Sequence, residues 1–321
     1  MQNLKNTKVF EIVRYTADCK NEWNHFMEES INGTFLFDRD YMDYHVDRFT
    51  DFSLLIYKKN KLFALLPANI QENVIYSHQG LTYGGFIINK NCKTSDFLAM
   101  WKLVMVLFKK NGFTKFLYKT VPHIYHLYPA ETDLYALFLT NSKLVERHPS
   151  SAITLSKKIT FSPNRKEGIR KAKKENIVIK ESDSFKDFWK ILNNNLTEKH
   201  NSKPVHNIEE IELLHNRFPD KIKLFLALKN NQTIGGTVIY ETKNVIRTQY
   251  ISADEEGKKV GVIDLLFDFI INSYYESSEK FFDFGQSSIE DGRILNESLI
   301  FQKEGFGART FVYDIYEIDL R

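Results

Sequence analysis

The residues best suited to chemistry lie in the last quarter of the chain, where a strand over residues 244–252 runs into Glu255-Glu256-Gly257-Lys258-Lys259-Val260-Gly261 and then an amphipathic helix over residues 262–277. The first turn of a helix leaves N–H groups unpaired and carries the positive end of the dipole, and glycine lets a ligand approach the backbone closely. A strand that ends in glycines and opens a helix is therefore an anion cradle, and a pyrophosphate fits it. Neither G-x-x-x-x-G-K-[ST] nor G-x-G-x-x-G occurs, which speaks against nucleotide triphosphate hydrolysis and Rossmann dinucleotide binding and for a coenzyme with a diphosphate. His200 and His206 bracket Lys203-Pro204 in a loop between two helices. Imidazole has the unperturbed pKa for base work, although a lone histidine is more often packed or solvated. The basic run from Arg165 to Lys174, with Arg170 in it, could clamp a phosphorylated acceptor or the acceptor stem of a tRNA, or form a solvated helix face.

Composition narrows the setting. With 321 residues, 43% of them hydrophobic, the chain can bury a large core and suggests two domains of ordinary size. No charge-free apolar run approaches the ~20 residues that span a bilayer, and Met1-Gln2-Asn3-Leu4-Lys5 lacks the apolar core of a signal peptide, so a soluble cytoplasmic protein is expected. Only Cys19 and Cys92 occur, which encodes neither a disulfide framework nor a zinc site, and no metal is expected. A net charge of +3 is too small to imply nucleic acid by itself.

These residues must be held by elements, and the order of elements occurs twice. The first half reads as strand 9–14, helix 19–30, strands 52–58, 61–71 and 73–77, helix 95–110, strand 115–119, a short helix 132–140 and strand 144–155. The second half reads as a basic helix 165–175, strand 177–181, helices 185–197 and 208–217, strands 223–228, 233–242 and 244–252, helix 262–277, strand 280–284, helix 295–303 and strand 309–318. Asn230-Asn231 marks a tight hairpin, and Asn207 with Glu210 has capping-box spacing. On helix 262–277 the apolar face is Val262, Leu265, Leu266, Phe269, Ile270 and Tyr274, leaving Asp264, Asp268 and Asn272 outside. Pro149 and Ser150-Ser151 mark the boundary region, giving domains 1–155 and 156–321.

The order strand, two helices, three antiparallel strands, glycine-turn helix, strand, helix, strand resembles the GNAT acyltransferase fold, and two copies in one chain resemble its FemAB-like branch. Local strings are similar as well: Val121-Pro122-His123-Ile124-Tyr125, Arg170-Lys171-Ala172-Lys173-Lys174, Lys203-Pro204-Val205-His206 and Gln302-Lys303-Glu304-Gly305-Phe306-Gly307. The resemblance implies an α+β protein of two tandem GNAT-like domains, each a mixed, mostly antiparallel sheet flanked by helices. It implies transfer of an acyl group from acetyl-CoA or another acyl-CoA to an amine, such as an amino sugar of a surface polysaccharide precursor or a lipid-linked glycan. The competing readings are an aminoacyl-tRNA-dependent transferase acting on a peptidoglycan precursor and a non-catalytic binding relative.

The family's coenzyme loop reads Arg/Gln-x-x-Gly-x-Gly/Ala, and its nearest match is Lys258-Lys259-Val260-Gly261-Val262-Ile263, with Lys258 in place of Arg or Gln and Ile263 in place of the small residue. The preceding strand supplies Tyr250 as a catalytic candidate, Ile251, Ser252 and Ala253 as the backbone that meets the acyl carbonyl, and Gln249 as a substrate contact. The cleft implied beyond strand 280–284 brings Asp283 and Glu290 as proton acceptors, each with a plain reading as a turn or helix-flanking charge, and Gln286 and Ser287 as substrate contacts. Lys203, Arg170, Lys303 and Tyr83 complete the substrate set. Tyr83 belongs to His78-Gln79-Gly80-Leu81-Thr82-Tyr83-Gly84-Gly85, the first half's counterpart of the coenzyme loop, read as acceptor pocket or degenerate loop. Tyr118, Tyr125, His126 and Tyr128 invite a sugar-stacking reading, with core packing as the plainer one.

Overall fold

A computed structural model describes residues 10–200 and 202–321, and they divide into two compact units, each with its own core. The first comprises Met1–His148, Glu290–Ile294 and Val312–Arg321; the second comprises Pro149–Ile289 and Leu295–Phe311. A single boundary after residue 155 does not describe this division. Two long strands each begin in one unit and end in the other, so chain from beyond residue 155 completes the first unit.

In the first unit the order is β1 (Phe10–Arg14), α1 (Lys20–Glu29), α2 (Arg39–Met42), β2 (Thr50–Asp51), β3 (Leu54–Lys58), β4 (Lys61–Leu66), β5 (Asn69–Gln71), β6 (Val74–Tyr76), β7 (Ile87–Ile88), α3 (Thr94–Lys110), β8 (Lys115–Lys119), α4 (Thr132–Leu139) and the start of β9 (Lys143–Thr154). The strand expected over 61–71 is two strands in different sheets. Pro67 has no N–H to give a ladder, and the chain leaves the β1-β3-β4-β7 sheet there to join β2, β6 and β8. The short α2 has no apolar period and was not expected; its helical turn is set by Asp38, whose carboxylate accepts the Asp40 N–H. Phe97, Trp101, Val104 and Phe108 of α3 pack on Leu54, Ile56, Phe116 and Tyr118 to form this unit's core.

The second unit contains α5 (Pro163–Lys174), β10 (Val178–Ser182), α6 (Phe185–His200), α7 (Ile208–Arg217), β11 (Ile222–Lys229), β12 (Gln232–Glu241), β13 (Val245–Ala253), α8 (Glu255–Val260), α9 (Val262–Phe269), β14 (Phe281–Gln286), β15 (Ser288–Ile289), β16 (Ile294–Leu295), α10 (Glu297–Gly305) and the start of β17 (Arg309–Asp319). Its strands run in the order β10-β11-β12-β13-β14, antiparallel except for the β13–β14 pair. Asn230 and Asn231 both take left-handed φ, 49° and 64°, in the β11–β12 hairpin. Helix 262–277 is shorter than its apolar period suggests: α9 stops at Phe269 and continues as a π-turn through Tyr274. No helix among the described residues is long and apolar enough to cross a membrane.

Asn207 and Glu210 form the capping box at the start of α7, with the Glu210 N–H donating to Asn207 Oδ1 at 2.8 Å and the Asn207 N–H donating to Glu210 Oε2 at 2.9 Å. Asn207→Ala is expected to cost about 1 kcal/mol, read as a lowered denaturation midpoint with unchanged denaturant sensitivity. An unchanged midpoint would show that α7 is held by packing alone.

Candidate active site

Strand β13 carries one residue more than its neighbour. Val238 faces Tyr250 and Ile239 faces Thr248, which leaves Gln249 as a bulge. On its other edge β13 runs parallel to β14 only from Val245/Phe281 to Arg247/Asp283, whereas its pairing with β12 continues to Ala253. The two strands therefore part just where the bulge turns β13. At the parting point Asp283 is fully buried, accepts from Ser150 Oγ at 2.8 Å and from the Gly285 N–H at 2.7 Å, and lies 3.9 Å from Arg247 Nε.

The glycine turn is not an open loop. Residues 255–260 form α8, capped by the Asp254 carboxylate, which accepts the Gly257 N–H at 2.7 Å. The chain's own carboxylate thus occupies a donor that an anion would use. Gly261, with φ 79°, is a left-handed joint between α8 and α9. A Cβ there would lie 2.8 Å from Gly168 O, and one on Gly168 would lie 1.9 Å from Asp264 Oδ2. Helix α5 rests on the joint through Gly168, so Gly261 serves helix packing, and Val260 and Val262 are buried in the core. Asp264 is likewise not outside: it is buried under α5 and accepts from Arg165 Nη1 at 2.6 Å. Burial pushes its carboxyl up, and Arg165 pulls it part of the way back.

Where β13 and β14 part there is a cavity of 420 Å³, within the range that takes small ligands. One wall is the end of β13, with Ile251, Ser252 and Ala253. The wall opposite is α10, which presents Leu299, Gln302 and Lys303. Asn195 of α6 ties the first wall together: its Nδ2 donates to Ser252 Oγ at 2.7 Å and Ala253 O at 2.8 Å, and its Oδ1 accepts from Lys258 Nζ at 2.6 Å. Lys258 also reaches Glu255 at 2.6 Å. Arg165 closes a third side, its guanidinium 4.8 Å above the Phe306 ring.

Lys303 is the exceptional group. Only 6% exposed, it donates to Gly285 O at 2.8 Å, Gln286 O at 2.7 Å and Ser287 Oγ at 2.8 Å. Burial lowers its pKa to about 8, opposed by the nearby Asp283 carboxylate. Three acceptors on three ammonium protons hold the side chain in one position as a cation. Among the described residues that line the cavity there is no carboxylate and no imidazole.

Against known proteins, the whole chain superposes on solved structures. It matches FemX with a TM-score of 0.67 at 10% identity over 96% of this chain and 97% of that one. The chain has the FemAB-like tandem GNAT fold. L-PGS from Bacillus licheniformis matches with a TM-score of 0.61 at 10% identity over 94% and 92% of the two chains. A tandem GNAT protein from the clavulanic acid biosynthesis pathway matches at 0.51 and 9% identity over 97% and 99%. No protein-family model matches the chain, and no curated protein matches its sequence.

Within this FemAB-like frame the expected site residues separate into two groups. Ile251, Ser252, Ala253, Lys258, Ile263 and Lys303 all line the cavity, and Gln286 and Ser287 reach it through their bonds to Lys303. The others do not line it. Lys259 is exposed on α8, Arg170 is exposed on α5 and paired with Glu167, and Lys203 is exposed in the loop before α7. Asp283 is a buried strut, and Glu290 sits on an exposed turn at φ 50° in the other unit's share of the chain. His206 and Tyr250 meet instead: Tyr250 Oη lies 2.6 Å from His206 Nδ1 and accepts the His206 N–H at 3.2 Å, with Trp189 packed edge-on at 5.1 Å. Burial pushes the Tyr250 phenol up to about 12, so it is no base near neutrality, and Gln249 on the bulge bonds its hydroxyl. The pair fastens the loop before α7 onto β13. The His200 side chain lies outside the described residues.

In the first unit the corresponding gap between parallel strands is filled. Strand β6 runs parallel to β8, Val74 to Lys115 through Tyr76 to Leu117, as β13 does to β14. Beyond that pairing Lys119 Nζ donates to the carbonyls of His78, Gln79 and Leu81 at 3.3, 3.2 and 2.7 Å, and residues 78–85 fill the space. Tyr83 is 1% exposed and donates to Thr34 Oγ1, a core position and not a substrate contact. Tyr118, Tyr125 and His126 are buried too, leaving Tyr128 exposed.

Sequence reasoning missed Asn195, Phe267, Phe284 and Phe306, and placed Arg165 only in a basic run on α5. The one available signal was Leu192, Asn195 and Leu196 at i, i+3 and i+4 of α6, a stripe in which an amide replaces an apolar residue.

Proposed function

We propose that this chain is an N-acyltransferase that moves an acyl group from an activated ester or thioester to an amine in the cavity of the second unit. The observation that carries the reading is the pairing of a bulged strand end with a buried cation across the opening between β13 and β14. The amine attacks the donor carbonyl, the C–N bond forms, and the carbonyl oxygen becomes an oxyanion. The backbone N–H groups at the end of β13 are the donors, and the Lys303 ammonium, its three protons committed to Gly285, Gln286 and Ser287, adds a fixed positive charge nearby; preorganised groups of this kind stabilise an oxyanion without reorganisation. The tetrahedral centre then collapses, the C–S or C–O bond breaks, and the amine's proton leaves with the departing thiol or alcohol or through water. Lining the cavity with Asn, Ser, Gln and cations, and no carboxylate or imidazole, suits an amine that arrives neutral.

A second reading of the donor is favoured by the closed glycine turn. With Asp254 capping α8 and Gly168 lying on Gly261, the glycine turn offers a coenzyme's pyrophosphate a narrower approach than an open loop would. Helix α5, which delivers Arg165 to the cavity, carries Lys166, Arg170, Lys171, Lys173 and Lys174 on its exposed side, a track that suits the phosphates of an aminoacyl-tRNA.

The test supplies purified protein with acyl-CoA or aminoacyl-tRNA and a panel of amines that includes amino sugars and their nucleotide conjugates. Amine-dependent release of free thiol or uncharged tRNA, slowed at least about a hundredfold in Lys303→Met, is the expected result and identifies the donor class. If folded protein releases neither with any amine, the fold has been kept without the chemistry.

A further inference from the structure

Three phenylalanines from three elements meet at the base of this cavity. Phe267 of α9 packs on Phe284 of β14 at 5.1 Å and on Phe306 at 5.3 Å, and Phe284 stacks on Phe306 at 5.5 Å with planes 20° apart. All three are 4% exposed or less and all line the cavity, as does the buried Leu192. The more exposed Ile251, Ile263 and Leu299 continue the apolar surface outward, where Arg165 and Lys258, each paired with one carboxylate, add cationic groups to that of the buried Lys303. An apolar base with a cationic mouth matches an amphiphile, an apolar chain ending in an anionic carrier. Volume points the same way. An acetyl group takes about two water volumes, ~60 Å³, so a cavity of 420 Å³ has room for the amine and for a longer chain.

We infer that the acyl group carried by the donor is a medium-length apolar chain, or an apolar aminoacyl group of similar bulk, seated on Phe267, Phe284 and Phe306 with its carbonyl toward Lys303. The inference rests on the acyltransferase reading for its chemistry, and on the cavity alone for the chain length. In the reaction the chain is inert; the bonds made and broken are those of the acyl transfer above. Burial of each methylene on the phenylalanine surface gives affinity to the donor, and the same contacts make acetyl a poor substrate.

The experiment measures binding of acetyl, butyryl, hexanoyl and octanoyl thioesters of N-acetylcysteamine to the whole chain by calorimetry, so that no carrier recognition enters. Affinity is expected to rise about fourfold per added methylene and to level off once the cavity is full. Ile251→Trp and Leu299→Trp, which place bulk on exposed parts of the lining, are expected to cut the octanoyl-over-acetyl preference about tenfold with unchanged melting temperature. Equal binding of acetyl and octanoyl thioesters, or a preference that both tryptophan variants leave intact, overturns the inference. Because the readout is equilibrium binding, it separates from the activity: chain-length-dependent binding without transfer to any amine sinks the transferase reading alone, and transfer from acetyl and octanoyl donors at equal efficiency sinks the chain-length inference alone.

Discussion

Lys303→Met is expected to lower kcat/KM for acyl transfer by about 10²–10³-fold. Methionine keeps the length and bulk of the side chain but withdraws the charge from the cavity wall. It also leaves Gly285 O, Gln286 O and Ser287 Oγ without a donor, a cost of about 1–3 kcal/mol for buried groups, partly offset because a buried ammonium no longer has to be desolvated. Measured by denaturation, the loss of stability should therefore be small beside the loss of rate. The pH dependence separates charge from shape. The ammonium is the active form, and burial brings its pKa from 10.5 to about 8, so the rate should fall as pH rises through about 8. Lys303→Arg should remove that falling limb, since a guanidinium stays charged over the whole range, even if the new side chain fits less well. Stability runs the other way. Between pH 8 and 10.5 the unfolded chain holds the proton that the folded chain has released, so stability from this group rises with pH across that window and is flat below it. Lys303→Met should flatten the rise. A falling limb that survives in Lys303→Arg would assign it to another group.

Gly261→Ala is expected to destabilise the protein by about 2–4 kcal/mol, the sum of a left-handed conformation forced on alanine and a methyl group pressed against backbone. The new Cβ would meet Gly168 O at 2.8 Å and Gly168 Cα at 3.0 Å. Backbone cannot rotate away as a side-chain tip can, so α5 must shift, and with it the Arg165–Asp264 pair. Thermal denaturation reads this directly, and donor KM measured on the remaining folded protein should not change. A variant that melts like the parent but has a raised donor KM would show that the turn cradles the donor after all, and that Gly168 moves aside to admit it.

These two residues also mark the limits of legibility in this chain. The string 257–261 carries the composition of an anion-binding turn, and a glycine in such a string has two uses, approach of a ligand or approach of another helix. Which use applies here depends on Gly168, 93 positions earlier, whose own glycine is needed because Asp264 comes within 1.9 Å of where its Cβ would be. Asp264 shows the same effect from the other side. On a lone helix it belongs to the polar face, and it is buried only because α5 supplies Arg165 to pair with it across 99 residues of sequence.

What the sequence by itself determined are the features that neighbours within about four residues decide: the capping box of Asn207 and Glu210, the hairpin at Asn230 and Asn231, the 3.6-residue face that starts α9, and with them the order of elements that led to a tandem GNAT-like α+β protein. What only the tertiary structure decided is where β13 and β14 stop pairing and what fills or lines the gap that follows. In one half Lys119 and residues 78–85 plug it. In the other, Asn195, Lys303 and three phenylalanines from separate elements surround it. The physical reason is range. Caps, turns and helix faces are set by hydrogen bonds and periodicity along the chain, whereas a cavity is set by which distant side chains the sheet and its helices bring into contact, and by the burial that shifts a lysine's proton affinity only after they meet.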